Sequence, residues 1–413
     1  MGRICIFEDD GYRKFLPLVH LRAVFELRFG IDLLFQKIIR RYPGAAMSFF
    51  CRDHIASLVA HNHGLPVNDV REEGCLFINA RFCLDTNIPL EGDEEIGMVG
   101  DSMAYARFGP QKSGRITPVF CLDEGFPEFM RKMNVKVKDC DAFMAEYPWD
   151  FILSNPARIG EDFNEMVEGG ALRGTMRGEV HPEACVVEPN NVFMGEGSVV
   201  YPFSVIDGKS GPVYIGDHVT VHPNSTIQGP VSICSGSKVK AGTRIGGGTS
   251  IGEVCKIGGE VEESIVLSYS NKQHDGFLGH SYIGSWCNIG AGTVTSDLKN
   301  DYGPVRVRVN GTAVDTGKMF VGLIMGDHAK SGINTMFNTG TVVGTASNIF
   351  GGGFPPKYIP PFSWGGAENM KTYKLEKALS TARAVMARRG IELSAEEEEL
   401  LRALFDMTIH ERM

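Results

Sequence analysis

The hydrophobic pattern changes character twice along the chain. Up to about residue 170, short apolar runs alternate with apolar positions at helical spacing. Arg3 to Phe7, Met47 to Cys51 and Cys75 to Asn79 read as strands, and Ile31 to Arg41 and Ile55 to Asn62 as helices. Strands alternating with helices predict a parallel sheet with covered faces. A different period then begins. Ile215, Val221, Ile227, Ile233, Val239, Ile245, Ile251 and Ile257 recur at every sixth residue without a slip. Mostly small residues take the fourth place after each, among them Ser225, Ser237, Thr243, Thr249 and Cys255. Glycine often follows the aliphatic residue, as at Gly216, Gly246, Gly252 and Gly258.

A period of six fits neither an amphipathic helix nor a free strand. It fits a coil of three short strands, about 18 residues per turn, stacked about 4.8 Å above the previous coil. The aliphatic residue points into the prism and the small one fits beside each corner. Looser copies reach back to Val180, Val186 and Val192, and resume at Ile283, Ile289 and around Ile333 and Thr339. Two stretches, Glu263 to Leu278 and Leu298 to Phe320, break the period and are expected to leave the prism as loops. After Trp364 the repeat ends. Met370 to Arg389 is charged and helical, with Gly390 as its C-cap, and Ser394 with Glu397 forms a capping box for a second helix to about Ile409. The expected organisation is an α/β domain over residues 1–170, a left-handed parallel β-helix over 175–366 and a helical tail over 367–413.

Composition sharpens this picture. Of 413 residues 50 are glycine, gathered in the middle of the chain where the corners of the coil need them. The net charge of −9 comes with no dominant basic patch, so nucleic acid is not an expected partner. Acidic residues directly follow the short apolar run of MGRICIFEDD, which argues against a signal peptide. No run of 18 apolar residues predicts a membrane span. The ten cysteines are scattered without a CxxC pair, pointing to reduced thiols and a cytoplasmic protein.

The segment from Ser268 to Leu298 holds the densest candidate chemistry. His274 stands between Lys272 and Asp275, with Gly276 and Gly279 nearby. A neutral imidazole there is suited to take a proton from an amine or hydroxyl attacking a thioester, with Asp275 as a candidate to orient it. The plain alternative is a surface histidine capping a turn. The stretch HDGFLGHSYIGSWCNIGAGTVTSD resembles the acetyltransferase half of the bifunctional N-acetylglucosamine-1-phosphate uridylyltransferase/glucosamine-1-phosphate N-acetyltransferase family. The wider run, from YSNKQHDGFLG through LKNDYGPV to LIMGDHAKSGINTMFNTGTVVG and FSWGG, is closer to an alternative bacterial branch. The resemblance spans about residues 175–366, and 1–160 more weakly.

That resemblance implies His274 as the catalytic base and Asn288 as a substrate contact. It implies Ala291 and Gly292 where acetyl-CoA lies along the coil, and a homotrimer with acetyl-CoA sites between subunits. Phe277 replaces a tyrosine of the family, and Asp297 and Leu298 replace an Asn-Tyr pair, which touches the acceptor's identity more than the reaction type. Lys240, Arg244 and Lys272 are candidates for the acceptor's phosphate, or else solvated charges on an outer face.

Nucleotidyl transfer needs N–H groups and cations around a triphosphate, and a carboxylate for Mg²⁺. Here FEDDGYRKFLPLVHLRAVFELRFG follows the first strand with Gly11 alone in the loop. Its LPL…R…ELR-G run resembles the alternative branch, which also lacks the Gly-rich signature. Arg13, Lys14, Arg22 and Arg28 are candidates for phosphates, Asp9 or Asp10 for the metal. Asn79 and Arg81 end the third strand, where an α/β sheet presents ligand contacts. The expected activity is acetyl transfer from acetyl-CoA to an amino-sugar phosphate, glucosamine 1-phosphate first, with uridylyl transfer from a nucleoside triphosphate forming UDP-N-acetylglucosamine. Two other readings stand beside it: an acetyltransferase whose N-domain only binds a sugar nucleotide, and a non-enzymatic scaffold. A zinc site of the γ-carbonic anhydrase kind would draw on His218, His222 and either His280 or His328.

Overall fold

The structure is a computed structural model and describes residues 2–84, 87–168 and 173–412. The expected domain boundary near residue 170 lies outside the described residues. The chain divides into two compact units, one built mainly from residues 2–147 and one mainly from residues 148–393.

The first unit is built on a six-stranded sheet. Its strands are β1 (Arg3–Phe7), β2 (Ala46–Phe50), β3 (Cys75–Asn79), β4 (Glu95–Val99), β5 (Ser102–Phe108) and β6 (Lys136–Asp139), in the order β2-β1-β3-β5-β4-β6. Helices α1 (Leu34–Arg41) and α2 (Asp53–His63) connect the first three strands, which are parallel as expected. The other half departs from the expectation. β5 runs antiparallel to β3 and β4, because a tight turn at Gly100 (φ 57°) joins β4 to β5 directly, leaving no room for a crossover helix. Phe7, Phe50, Phe77, Ile96, Phe108 and Phe126 fill the core on one side of this sheet.

The second unit is a parallel β-solenoid of three faces. The longest face has nine strands, from Val192–Met194 through Thr249–Ile251 to Tyr358–Ile359, each paired in parallel with the next coil. Ile215, Val221, Ile227, Ile233, Val239, Ile245, Ile251 and Ile257 are each at most 1% exposed and form one continuous core. The corners use the left-handed backbone region. One corner places His218, Gly236, Val254, Tyr269, Trp286, His328, Ala346 and Phe362 in successive coils at φ between 55° and 73°. On it the Tyr269 and Trp286 rings stack 4.2 Å apart and parallel to within 8°.

Two sequence expectations are corrected here. Glu263 to Leu278 is no excursion. Ile265–Val266, Asn271–Lys272 and Phe277–Gly279 are strands in register with the coil before them. The period is lost from view because a two-residue corner, Gly258–Gly259, shortens that coil and a lysine takes the next aliphatic place. Only Leu298 to Phe320 leaves the prism, as an antiparallel hairpin of Arg306–Val309 and Thr312–Asp315. Likewise Met370–Thr372 is a strand paired antiparallel with Ser363–Gly365, so the helix begins later. The tail helices are α4 (Leu375–Ala387), closed by Gly390 at φ 70°, and α5 (Ala395–Met407), capped by the Ser394 hydroxyl.

Each compact unit is assembled from separate stretches of the chain. Residues 148–168, which form helix α3 (Pro148–Glu168), and the short segment Arg28–Asp32 belong with the solenoid, while Ser394–Ala403 clusters with the N-terminal unit. Ile31, Ile159 and Phe163 pack on Phe193 of the coil. Asn155, fully buried, accepts from Gly30 N–H at 2.7 Å and donates to the Gly248 carbonyl at 2.8 Å and to Ser250 Oγ at 2.9 Å. Arg28 is 1% exposed and holds both Glu253 carboxylate oxygens at 2.8 Å. Replacing Asn155 with Ala strands two buried backbone groups, at about 1–3 kcal/mol each. Asn155→Ala is therefore expected to lower the urea midpoint of the solenoid clearly, while Asn164→Ala, which removes a single contact at the surface, leaves it within error.

Candidate functional site

The N-terminal candidates gather at the C-terminal ends of β1 and β3, where open α/β sheets present ligand groups. Asp9 caps the short 3₁₀ turn Asp10–Phe15 by accepting from Gly11 N–H at 3.2 Å. Arg81, 5% exposed, holds Asp9 from two directions, Nε to Oδ1 at 2.8 Å and Nη2 to Oδ2 at 2.5 Å. Asn79 donates to the same carboxylate at 2.8 Å. A Cβ on Gly11 would lie 2.6 Å from the Arg81 guanidinium carbon, so that loop position requires glycine. Arg13 pairs with Asp10 at 2.5 Å, and Lys14 pairs with Glu146.

Behind this cluster lie two residues that the sequence reading passed over. Glu8 is fully buried and paired with Arg52 at 3.1 Å, and it also accepts from Val24 N–H at 2.8 Å. Arg52 donates to the carbonyls of Val19 and Arg22 and lies 4.3 Å from the Tyr12 ring centre. Together they fold the loop that carries Arg13, Lys14 and Arg22. Burial, with the Arg52 charge adding to it, pushes the His20 imidazole down to about 3, so it stays neutral. The signal was the adjacency of Glu8 to Asp9 and of Arg52 to the end of β2, both at strand termini.

Three expectations change. Asp9 does not fit a Mg²⁺ ligand as placed, since Arg81 and Asn79 occupy both its oxygens; Asp10 is engaged by Arg13. Among the described residues no group of three metal-binding side chains converges. Arg28 is not a phosphate ligand of the first unit, because it is buried in the second against Glu253. The histidines weighed for zinc stand on three different corners: His218 and His328 on one, His222 on the next, and His280 on the third, where it bonds Asp297 at 2.8 Å.

The solenoid candidates converge along one corner. Inter-coil hydrogen bonds stack Lys240, Gly258–Gly259, His274, Ala291–Gly292 and Asn334 in order: Lys240 N–H to Ile257 O, Gly258 N–H to Lys272 O, Gly292 N–H to Asp275 O, and Asn334 N–H to Ala291 O. Lys240 and His274 are two coils apart, ~10 Å. The His274 side chain is exposed, and among the described residues its imidazole has no hydrogen-bond partner. Asp275 is exposed beside it and does not bond the ring. Gly292 sits at φ 69°, and a Cβ there would meet Asn334 Oδ1 at 2.1 Å. Its N–H donates to the Asp275 carbonyl, and among the described residues the Ala291 N–H has no acceptor. Asn288 is exposed on the adjoining face, in register between Asn271 and Lys330. Arg244 lies on the other adjoining face, paired with Glu260 at 3.1 Å one coil before Phe277.

Lys272 departs most from expectation. It is 2% exposed, in the inward column Val221–Val239–Ile257–Lys272, where the coils before it place an aliphatic residue. Its ammonium donates to the Gly258 carbonyl at 2.8 Å and to the His274 carbonyl at 2.9 Å. It is therefore a clamp under the His274 corner rather than a phosphate contact. Burial pushes its pKa down to about 8, partly opposed by Asp275 and Glu260.

Comparison with known proteins agrees with both halves of this description. Residues 4–170 match a family model described as sugar nucleotidyl transferase, and residues 212–247 match the bacterial transferase hexapeptide of six repeats. The family resemblance read from the sequence holds. A bifunctional sugar-1-phosphate nucleotidylyltransferase/acetyltransferase of Sulfurisphaera tokodaii is 32% identical over 191 residues, covering 40% of this chain and 47% of that protein. The bifunctional protein GlmU of Methanococcus vannielii is 37% identical over 90 residues, 22% of each chain. The alignments thus span less than half the length of these curated relatives. A solved UDP-N-acetylglucosamine acyltransferase of Francisella novicida aligns over 55% of this chain and 90% of its own, at 16% identity and a TM-score of 0.30.

The Lys272 clamp carries a pH signature. The folded ammonium titrates near 8 and the unfolded one near 10.5. Between those values the unfolded chain holds the extra proton, so wild type gains stability relative to Lys272→Met as pH rises through the window, by about 3 kcal/mol. Denaturation of both proteins at pH 7.5 and 10.5 measures the shift. A constant difference would mean that the ammonium is not buried as described.

Proposed function

We propose that this chain is a two-part transferase of sugar-nucleotide biosynthesis. Its solenoid transfers acetyl from acetyl-CoA to the amine of an amino-sugar phosphate, glucosamine 1-phosphate first. Its N-terminal unit joins the acetylated sugar phosphate to the uridylyl group of UTP, releasing pyrophosphate. The observation that carries this reading is the His274 corner: an exposed imidazole without a partner, clamped from below by Lys272, one coil from the open N–H of Ala291. The names of both matched families, and of the bifunctional relatives, support it.

The chemistry follows from those groups. The amine attacks the thioester carbonyl, His274 accepts the proton it loses, and the coenzyme A thiolate leaves. The Ala291 N–H is placed to donate to the carbonyl oxygen as it gains charge. Lys240, on the same corner, faces the acceptor's phosphate. A homotrimer bringing a second chain against this corner, and a cytoplasmic location where acetyl-CoA is available, belong to the same proposal. No helix among the described residues is long and apolar enough to cross a membrane.

In the first unit, Arg13 and Lys14 are the side chains proposed for a triphosphate, on the short turn that Asp9 caps. The occupied Asp9 carboxylate favours a second reading, in which this unit binds a sugar nucleotide without turning it over.

Coenzyme A thiol release with glucosamine 1-phosphate tests the first half. His274→Ala is expected to lower the rate by roughly two to four decades with the fold intact. An unchanged rate in the variant would remove His274 as the base. Pyrophosphate release from UTP with N-acetylglucosamine 1-phosphate tests the second half. Release that falls at least tenfold in Arg81→Ala would favour turnover in the first unit, while none from any nucleotide would leave the binding reading.

A further inference from the structure

One face of the solenoid carries a charge pattern that the reading above does not use. Lys238 and Lys256 project outward from successive coils and are direct register partners, so two like charges are stacked one coil apart. Asn271 continues the column, and the Arg389 guanidinium, from the turn after α4, donates to its Oδ1 at 2.7 Å. Arg388 precedes it, and Lys240 stands at the adjoining corner. Among the described residues none of Lys238, Lys240, Lys256, Arg388 or Arg389 makes an ion pair. The two acids nearest Lys256 in sequence are engaged elsewhere, Glu253 by Arg28 and Glu260 by Arg244.

Stacked cations repel, and a chain of net charge −9 has carboxylates available to separate them. Burial, and after it the charges of Arg389, Lys238, Arg388 and Lys240, hold the Lys256 ammonium below the usual lysine range. Burial, Lys240 and Lys238 likewise lower the His222 imidazole. The cation column runs from Lys238 to the Arg389 contact on Asn271 over two coil steps, ~10 Å. That is longer than one phosphate, and it suits two phosphates in a row.

We propose that Lys238, Lys256, Arg388 and Arg389 form a binding site for a ligand carrying a diphosphate, beside the His274 corner. Asn271 positions Arg389, and Lys240 extends the site to the corner that His274 shares. Two ligands have this chemistry: the pyrophosphate arm of coenzyme A, and a nucleoside-diphosphate sugar. The inference rests on the acetyl-transfer reading for its neighbour, not for its ligand chemistry.

The test is titration calorimetry on the full chain with inorganic pyrophosphate, coenzyme A, UDP-N-acetylglucosamine and glucosamine 1-phosphate, on wild type, Lys238→Glu/Lys256→Glu and Arg389→Gln. Both alterations lie on the outer surface, so thermal melting checks that the fold is kept. Pyrophosphate is expected to bind wild type and to lose at least about tenfold in affinity in the double variant, and less in Arg389→Gln. Whichever of coenzyme A and UDP-N-acetylglucosamine shows the same loss is the source of the diphosphate. Equal affinities in wild type and double variant for all three diphosphates, or no binding of any of them to wild type, would overturn the site. Thiol release that depends on His274 is scored separately. Its absence would defeat the acetyl-transfer reading whatever pyrophosphate does.

Discussion

Everything in the second unit depends on coils hydrogen-bonding to coils in strict register. Each outward or inward residue is held above its counterpart in the coil before, by backbone bonds such as Ile289 N–H to Asn271 O and Ser331 N–H to Asn288 O. The chain therefore has few choices. An inward place must be filled without a void, a corner must turn through the left-handed region, and a residue placed at a corner joins a column of corner residues. Functional groups far apart in sequence, such as Lys240 and Ala291, fall on one corner because the same geometric step is repeated between them.

Against that background a charged residue in an inward place marks the site. A lysine in an aliphatic column would leave a charge in the core, and burying one without compensation is expensive. Lys272 meets the requirement with two carbonyls, one of them from His274 itself. The same bonds that satisfy the ammonium also hold the corner that carries the imidazole. Gly259 beneath it has to be bare, since a Cβ there would lie 2.8 Å from the Lys272 Nζ. Core composition and the site are thus one arrangement read at two levels.

Much of this was legible in advance, and what was missed has physical causes. The six-residue period identified the solenoid because a repeated geometry leaves a repeated composition. The strands Arg3–Phe7 and Cys75–Asn79 were placed to the residue, since continuous apolar runs mark central strands. The coil from Ile265 to Gly279 was misread as a loop, because a polar inward residue and a shortened corner hide the period while leaving the backbone pairing untouched. Arg28 was assigned to the wrong surroundings for a different reason. Local sequence states that a residue is basic, but its partner Glu253 is 225 positions away. Asp9 looked like a free carboxylate for the same reason, its guanidinium partner Arg81 lying two strands on.

That separation has a consequence for how the molecule is made. The segment Arg28–Asp32 leaves the ribosome early, yet the groups that enclose it, Glu253, Ser250 and Tyr282, come more than 200 residues later. At about 5–20 residues per second, the interval is roughly 10–45 s. For that time the Arg28 guanidinium lacks the carboxylate that pairs with it in the finished fold. Closure of the segment joins positions of very high sequence separation, which places it among the last and slowest contacts to form. Synthesis order and final burial are at odds at this point, since Arg28 is complete long before the groups that enclose it.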